Sequence, residues 1–423
     1  MKSRFWALGG AGVLLLVLSS CGGGGNEPPP NEPAPTPPVS GTLDPTFGVE
    51  GKVAAPPGNI SEMKVDSAGN TYLGSSLNSF IVKLSSAGIP AAEFGTGGRI
   101  DLPASAMAFD TGGDLYAAGS VAPPGILVKR LDAAARLDAA FGNGGQIRIG
   151  PFTDGLGEGI RVLLRDAAGN LYGVGQANDY TVGLVVLVVK LDASGRLVPS
   201  FGEGGVRLIP LGGEGSGSAA SLDSHGDILV VGKEGRASQR LFALKLDSSG
   251  RLVETYGAGG RWVSDPCVDP RGPEVALDTN DNAYVVATCA SNGVRGARVF
   301  KLDSTGMLVT GFGEMGTKAN VFEDVPSRPS GAGAVLVDPS GNVYVAGTLG
   351  DCGDLAIAKL DAAGRVLGDF GAAGRAVFDL GGNDAAEKIA LDGAGRLYVG
   401  ARSTSCIPER PGLIPFVVVR VRS

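Results

Sequence analysis

An aromatic–glycine pair recurs seven times in this 423-residue chain, at Phe47-Gly48, Phe94-Gly95, Phe141-Gly142, Phe201-Gly202, Tyr256-Gly257, Phe312-Gly313 and Phe370-Gly371. In every copy a further glycine stands three residues after the first, and successive copies are 47 to 60 residues apart. A unit of that length cannot bury both of its faces alone, so it must stack on its neighbours. Each unit carries three more signals in fixed order: an apolar run closed by an Asp turn (Asp-x-x-Gly-Asn or Asp in five of the seven), a β-rich run such as Val343-Tyr344-Val345-Ala346-Gly347, and a run such as Phe242-Ala243-Leu244-Lys245-Leu246-Asp247. Four short strands per unit and no helical period predict an all-β chain, a seven-bladed β-propeller of four-stranded antiparallel blades.

In the fourth intact unit the inner strand is expected at residues 218–222 and the second at 228–231. The third falls at Arg240–Leu246, and residues 251–263 contain the outermost. An aspartate opens each connecting turn and bonds its own backbone, while the glycine three residues on takes a positive φ without a Cβ clash. The repeat is split at its ends. Residues 43–53 are an outer-strand signature alone, and 416–421 a third strand lacking its turn and fourth strand. The N-terminal segment is therefore expected to supply the outer strand of the last blade and close the ring without an open edge.

Residues 1–20 read as a targeting segment, with Lys2 and Arg4 ahead of an apolar stretch, 6–18, too short to span a bilayer. Leu18-Ser19-Ser20-Cys21 resembles the lipobox of bacterial lipoproteins, which implies lipidation of Cys21; the alternative is an ordinary secretory leader with a chance cysteine. Residues 21–42 are then the lipidated cysteine and a Gly/Pro-rich tether too poor in apolar residues to fold. Residues 43–423 are the propeller. The lipobox resemblance implies an exported cell-envelope protein that meets the membrane through its lipid anchor alone. With Gly22 after the cysteine, the address is the outer membrane if the cell has one. A net charge of −7 and no basic run argue against nucleic acid as a partner.

The pattern Leu-Asp-x-x-Phe-Gly-x-x-Gly, with Lys-Leu-Asp-x-x-Gly and Asp-x-x-Gly-Asn-x-Tyr-Val, resembles the bacterial delta-60 repeat family over residues 43–423. It is also similar to NHL-type and SBBP-type propellers. The resemblance implies the fold and an extracytoplasmic setting, and brings no catalytic residues with it. Fold does not dictate function.

One rim carries the short first-to-second and third-to-fourth strand turns. Its repeated Asp66, Asp110, Asp166, Asp223, Asp278, Asp338 and Asp392 close turns; each turn offers too few oxygens for a calcium ion. Lys83, Arg130, Lys190, Lys245, Lys301, Lys359 and Arg420 recur at one strand position and are expected to snorkel to this rim and pair with the aspartates. The opposite rim has loops of varied length, at 150–159, 264–273, 320–333 and 402–415, and specific binding belongs there. Candidate binding residues on it are Asp154, Glu158, Glu274, Glu323, Asp324, Arg328, Asp354, Asp384, Glu387 and Arg410.

Four cysteines besides Cys21 map to the same rim, and an even number in an oxidising compartment argues for disulfides. Their positions in the blades favour Cys267 with Cys289 and Cys352 with Cys406, closures worth roughly 3 and 4 kcal/mol by chain entropy. The single histidine, His225, sits in a short turn, which removes Ser-His-Asp and Cys-His catalysis. No catalytic residue, resident metal or cofactor is assigned. The expected role is a binding or scaffold module for a protein or glycan. The alternative is a hydrolase or lyase working through channel carboxylates, with Glu62, Glu274 and Glu387 near the starts of inner strands and a divalent cation allowed.

Overall fold

The computed structural model describes residues 39–423 apart from 57–59, 123–124, 151–158, 180, 182, 236–238, 265–266, 292–293, 324–327 and 407–415. The signal assignment, Cys21 and the tether as far as residue 38 therefore lie outside the described residues, whereas residues 39–42 of the expected tether are described and bond to the ring through Ser40 and Gly41. Among the described residues there are no helices, and 28 strands form seven four-stranded antiparallel sheets. The inner strands of blades one to seven are Glu62–Val65, Ala106–Phe109, Gly159–Arg165, Gly215–Leu222, Val268–Leu277, Ser330–Val337 and Asn383–Leu391. Blade four follows the expected plan, with its third strand at Arg240–Leu246 and its outer strand at Arg261–Val263. Its inner and second strands, Gly215–Leu222 and Ile228–Glu234, each run three residues further toward the variable rim than expected.

Second and third strands lie between neighbouring blades on both faces, which is why Thr71–Ser75, Phe80–Leu84 and Val417–Val421 are buried along their whole length. The repeated aromatic stands edge-on to the tyrosine of the second strand, as in Tyr72 with Phe94 at 5.7 Å and Tyr344 with Phe370 at 5.7 Å between ring centroids. The glycine after it donates its N–H to the third-to-fourth turn of the next blade: Gly95 to Ala134, Gly142 to Ser194, Gly202 to Ser249 and Gly313 to Ala363. One dipeptide thus seals its own blade with a ring and fastens the next with a hydrogen bond.

The recurring cations depart from expectation. Six of the seven do not snorkel but are buried, Lys83, Lys190, Lys245, Lys301 and Lys359 all at 9% exposure or less and Arg420 at 1%, while Arg130 is half-buried. Six of the seven carry a carboxylate partner, among them Arg130 with Asp110 at 2.6 Å and Lys245 with Asp223 at 2.5 Å. They also lie over the aromatic pairs, with Lys301 Nζ 4.8 Å from the Tyr284 ring centre. Some reach into the next blade: Lys190 Nζ donates to the Ser248 carbonyl at 3.1 Å and Lys301 Nζ to that of Ala362 at 2.9 Å. The repeated basic position is a blade-to-blade fastener.

Closure is as expected and goes further. Lys52–Ala54 pairs antiparallel with Val417–Val421 and completes blade seven. Ahead of it, the Gly371 N–H of blade six donates to the Ser40 carbonyl at 2.9 Å, where the other blades use a third-to-fourth turn. Gly41 has φ +78°, matching Gly88, Gly195, Gly250 and Gly306 in the uninterrupted turns. Residues 40 and 41 therefore rebuild the turn that blade seven lacks.

Candidate functional site

The inner strands are in register with one another, and that register builds a cavity. Glu62, Ala106, Val162, Ala219, Glu274, Ala334 and Lys388 each pair with the second-strand residue that lies two places after the repeated Tyr (Leu229 in blade four). The residue before each of these is Ser61, Ser105, Arg161, Ser218, Pro273, Gly333 or Glu387. In blades three, four, six and seven that residue is a one-residue bulge, and in blade five Gly272 and Pro273 are both skipped. A bulge bends its strand and re-aims a side chain. All seven of these residues line one cavity of about 1120 Å³.

Second strands contribute at another register position, four residues past the repeated Tyr or Leu. Ser76, Lys233, Thr288, Thr348 and Arg402 occupy it and line the cavity. Third-strand Arg295 and loop residue Asp351 complete the charged set. Gly333 has no choice of side chain, because a Cβ there would run into the Ala386 carbonyl of blade seven. Among the described residues the lining holds five basic side chains, Arg161, Lys233, Arg295, Lys388 and Arg402, against three acids, Glu274, Asp351 and Glu387, and no aromatic ring.

Charges at its floor are paired. Lys388 of blade seven reaches past blade six to Glu274 of blade five, Nζ to Oε1 3.0 Å. Burial by itself would lower the Lys388 pKa, but Glu274, then Glu62 and Glu387, outweigh it and hold the ammonium protonated above the ordinary lysine value. Glu387 is gripped by Arg402 at 2.9 and 3.2 Å. Burial nevertheless pushes the Glu387 carboxyl above the usual range, against the pull of Arg402 and Lys388. Glu62 is buried, accepts the Met63 N–H at 3.0 Å and lies 3.8 Å from Lys64 Nζ.

Of the residues expected to bind, Glu274 and Glu387 are brought to this one cavity. Glu323 and Arg328 pair with each other at 2.6 Å, beside lining residue Pro329. Asp354 and Asp384 form a separate cluster with Asp379, their carboxylate oxygens within 4.8 Å of one another. Asp384 is fully buried and its pKa is raised by that burial; its oxygens accept Ser403 Oγ at 2.5 Å and the Leu380 N–H at 2.7 Å. With those oxygens engaged, the cluster reads as a seam between blades six and seven. Asp154, Glu158, Asp324 and Arg410 lie outside the described residues. The two expected disulfides are present, Cys267–Cys289 and Cys352–Cys406, with Cα separations of 4.9 and 5.9 Å. They place the chain in an oxidising, extracytoplasmic setting.

Arg161, Lys233, Arg295, Lys388 and Arg402 escape a reading that looks for site residues in loops. The segment 402–415 reads as a loop, yet the strand Leu397–Thr404 carries Arg402 into the wall. The missed signal was the repeat itself: aligning units on the Tyr exposes both lining positions.

No protein-family profile matches the sequence and no curated protein matches it, so the delta-60 resemblance rests on the repeat motif. Solved structures do match. The chain is similar to virginiamycin B lyase from Staphylococcus aureus at 8% identity and a TM-score of 0.50, covering 88% of this chain and 98% of that one. It is also similar to Drosophila Semaphorin 2a at 8% identity and a TM-score of 0.53, covering 90% and 76%. At such identity these likenesses are of fold alone, the β-propeller.

Proposed function

We propose that this protein is a tethered, extracytoplasmic binding propeller of the delta-60 repeat type, whose partner, a protein or glycan, is engaged at the channel mouth on the loop-rich rim. One observation carries the reading: all seven blades bring the residue before the shared register position, a one-residue bulge in four of them, to a single open, polar cavity on that rim. Cavities of this kind on rigid scaffolds are where ligands bind. Two of the three cavity acids are bridged to cations, Glu274 to Lys388 and Glu387 to Arg402, so these two shape charge rather than stand ready as acid and base.

The second reading, a hydrolase or lyase, draws on the raised pKa of Glu387, the property of a carboxyl that holds a proton to donate. Its counterweight is the position of His225, in an exposed turn and absent from the cavity lining. In-cell cross-linking of the full chain followed by mass spectrometry tests both. A partner captured by wild type and lost in the Arg161→Glu/Lys233→Glu variant supports binding at the mouth. Capture that ignores the double variant sinks it. Conversion of the captured ligand to a product, abolished by Glu387→Gln, favours the enzyme.

A further inference from the structure

We infer that the ligand of the channel mouth is an acidic saccharide, the end or a short stretch of a uronate-bearing chain. The inference rests on the binding reading above and names its chemistry.

Charge comes first. The chain as a whole has more acids than bases, 43 against 36, whereas the described residues of the cavity lining have more bases than acids. A concave wall with an excess of one sign concentrates ligands of the other. Lys388 and Arg402 are balanced within the wall by Glu274 and Glu387. Among the described residues Arg161 has no carboxylate partner: it is exposed and donates to the neutral amide oxygen of Gln176 at 3.3 Å. The positive potential is therefore offered to the opening from blades three and four, through Arg161 and Lys233.

The rest of the lining selects among anions. Ser216 and Ser218 put hydroxyls on blade four, while those of Ser61 and Ser76 bond each other at 3.0 Å and Ser105 donates to the Ile160 carbonyl at 2.7 Å, each keeping acceptor capacity. Gly331, Gly333 and Gly347 expose backbone on blade six. This suits a ligand rich in hydroxyls. A nucleotide would need a ring to stack on and a glycine-rich phosphate cradle, and an apolar peptide anchor would need an apolar pocket; among the described residues the lining contains no aromatic side chain. A neutral sugar face gains little here for the same reason, so its carboxylates must supply the affinity. The volume, about 1120 Å³, lies just above the ~300–1,000 Å³ of ordinary small-molecule pockets and admits several sugar rings.

The test is isothermal titration of the full-length protein with oligogalacturonate and oligoalginate, beside a neutral galacto-oligosaccharide and tripolyphosphate. Binding of a uronate oligomer is expected, weakening as salt is raised, with none of the neutral sugar. Arg161→Gln and Lys233→Gln should each weaken it about 10-fold, the loss of one charge-assisted hydrogen bond. Arg251→Gln, on the opposite rim, should leave it unchanged, and melting curves of all three variants report their folding. Equal binding of the neutral sugar, equal binding of tripolyphosphate, or indifference to both mouth substitutions overturns the inference. If no saccharide binds while a protein is captured through Arg161 and Lys233, the saccharide assignment falls and the binding reading stands. If nothing depends on the mouth, both fall.

Discussion

Lys388 occupies a register position where four of the seven blades have alanine or valine, and it is the only cation at that level. Its neighbours at the same level are Glu62 on the adjacent blade and Glu274 two blades away, so one ammonium answers two carboxylates across the channel. Removing one member of such a group leaves charge without its partner in a low-dielectric wall. Lys388→Met should therefore lower stability by about 2–3 kcal/mol, short of the ~3–5 of a fully buried pair because its side chain is a quarter exposed. The double variant Lys388→Met/Glu274→Gln should recover much of that loss. Urea unfolding of the three proteins checks this, and a double variant no better than the single would show that the lysine acts through packing alone.

The turns give an element-scale prediction in pH. Burial alone would raise the carboxyl pKa of Asp110, Asp223 and Asp392, but turn N–H groups together with Arg130, Lys245 and Arg396 outweigh it and hold all three below the ordinary 3.8. A carboxylate whose pKa is lower folded than unfolded adds stability above the unfolded value, and that contribution is lost as pH falls through the folded values. The denaturation midpoint should thus stay level down to about pH 4 and drop steeply below it; a decline that begins near neutrality would point to other groups. These turns were the legible part of the sequence, since Asp bonding its own backbone and Gly at positive φ are local chemistry. Even the exception follows the rule: blade five has Asp281 where others have glycine, and Asp281 takes φ +60°. The bulges were not legible, because skipping Arg161, Ser218, Gly333 or Glu387 depends on the register of one strand against another. Glu274 and Glu387 were identified because acids near inner strands stand out, whereas Lys388 and Arg402 were hidden within segments read as strand interior or loop.

At the scale of the whole ring, the seam in blade seven decides stability. A Cβ on Gly41 would collide with the Gly371 backbone nitrogen, while Gly97, also at positive φ, has open space around it. Both Gly41→Ala and Gly97→Ala carry the φ penalty of about 1 kcal/mol, and Gly41→Ala should cost roughly 2 kcal/mol more for breaking the seam. Melting temperatures of the pair measure the difference, and equal shifts would show that the seam contributes nothing. The ring count and its closure could be read from the sequence because a split unit has a recognisable missing half; that residues 40 and 41 also rebuild a turn could not, since it is a contact with blade six.

Arg420 binds Thr46 and Ser86 across 374 and 334 residues of chain. Contacts of that span carry the largest loop-closure cost and form late. The seam thus ties completeness to closure: a chain interrupted before Val417 would leave Lys52–Ala54 and Leu397–Thr404 without the strand that both of them pair with.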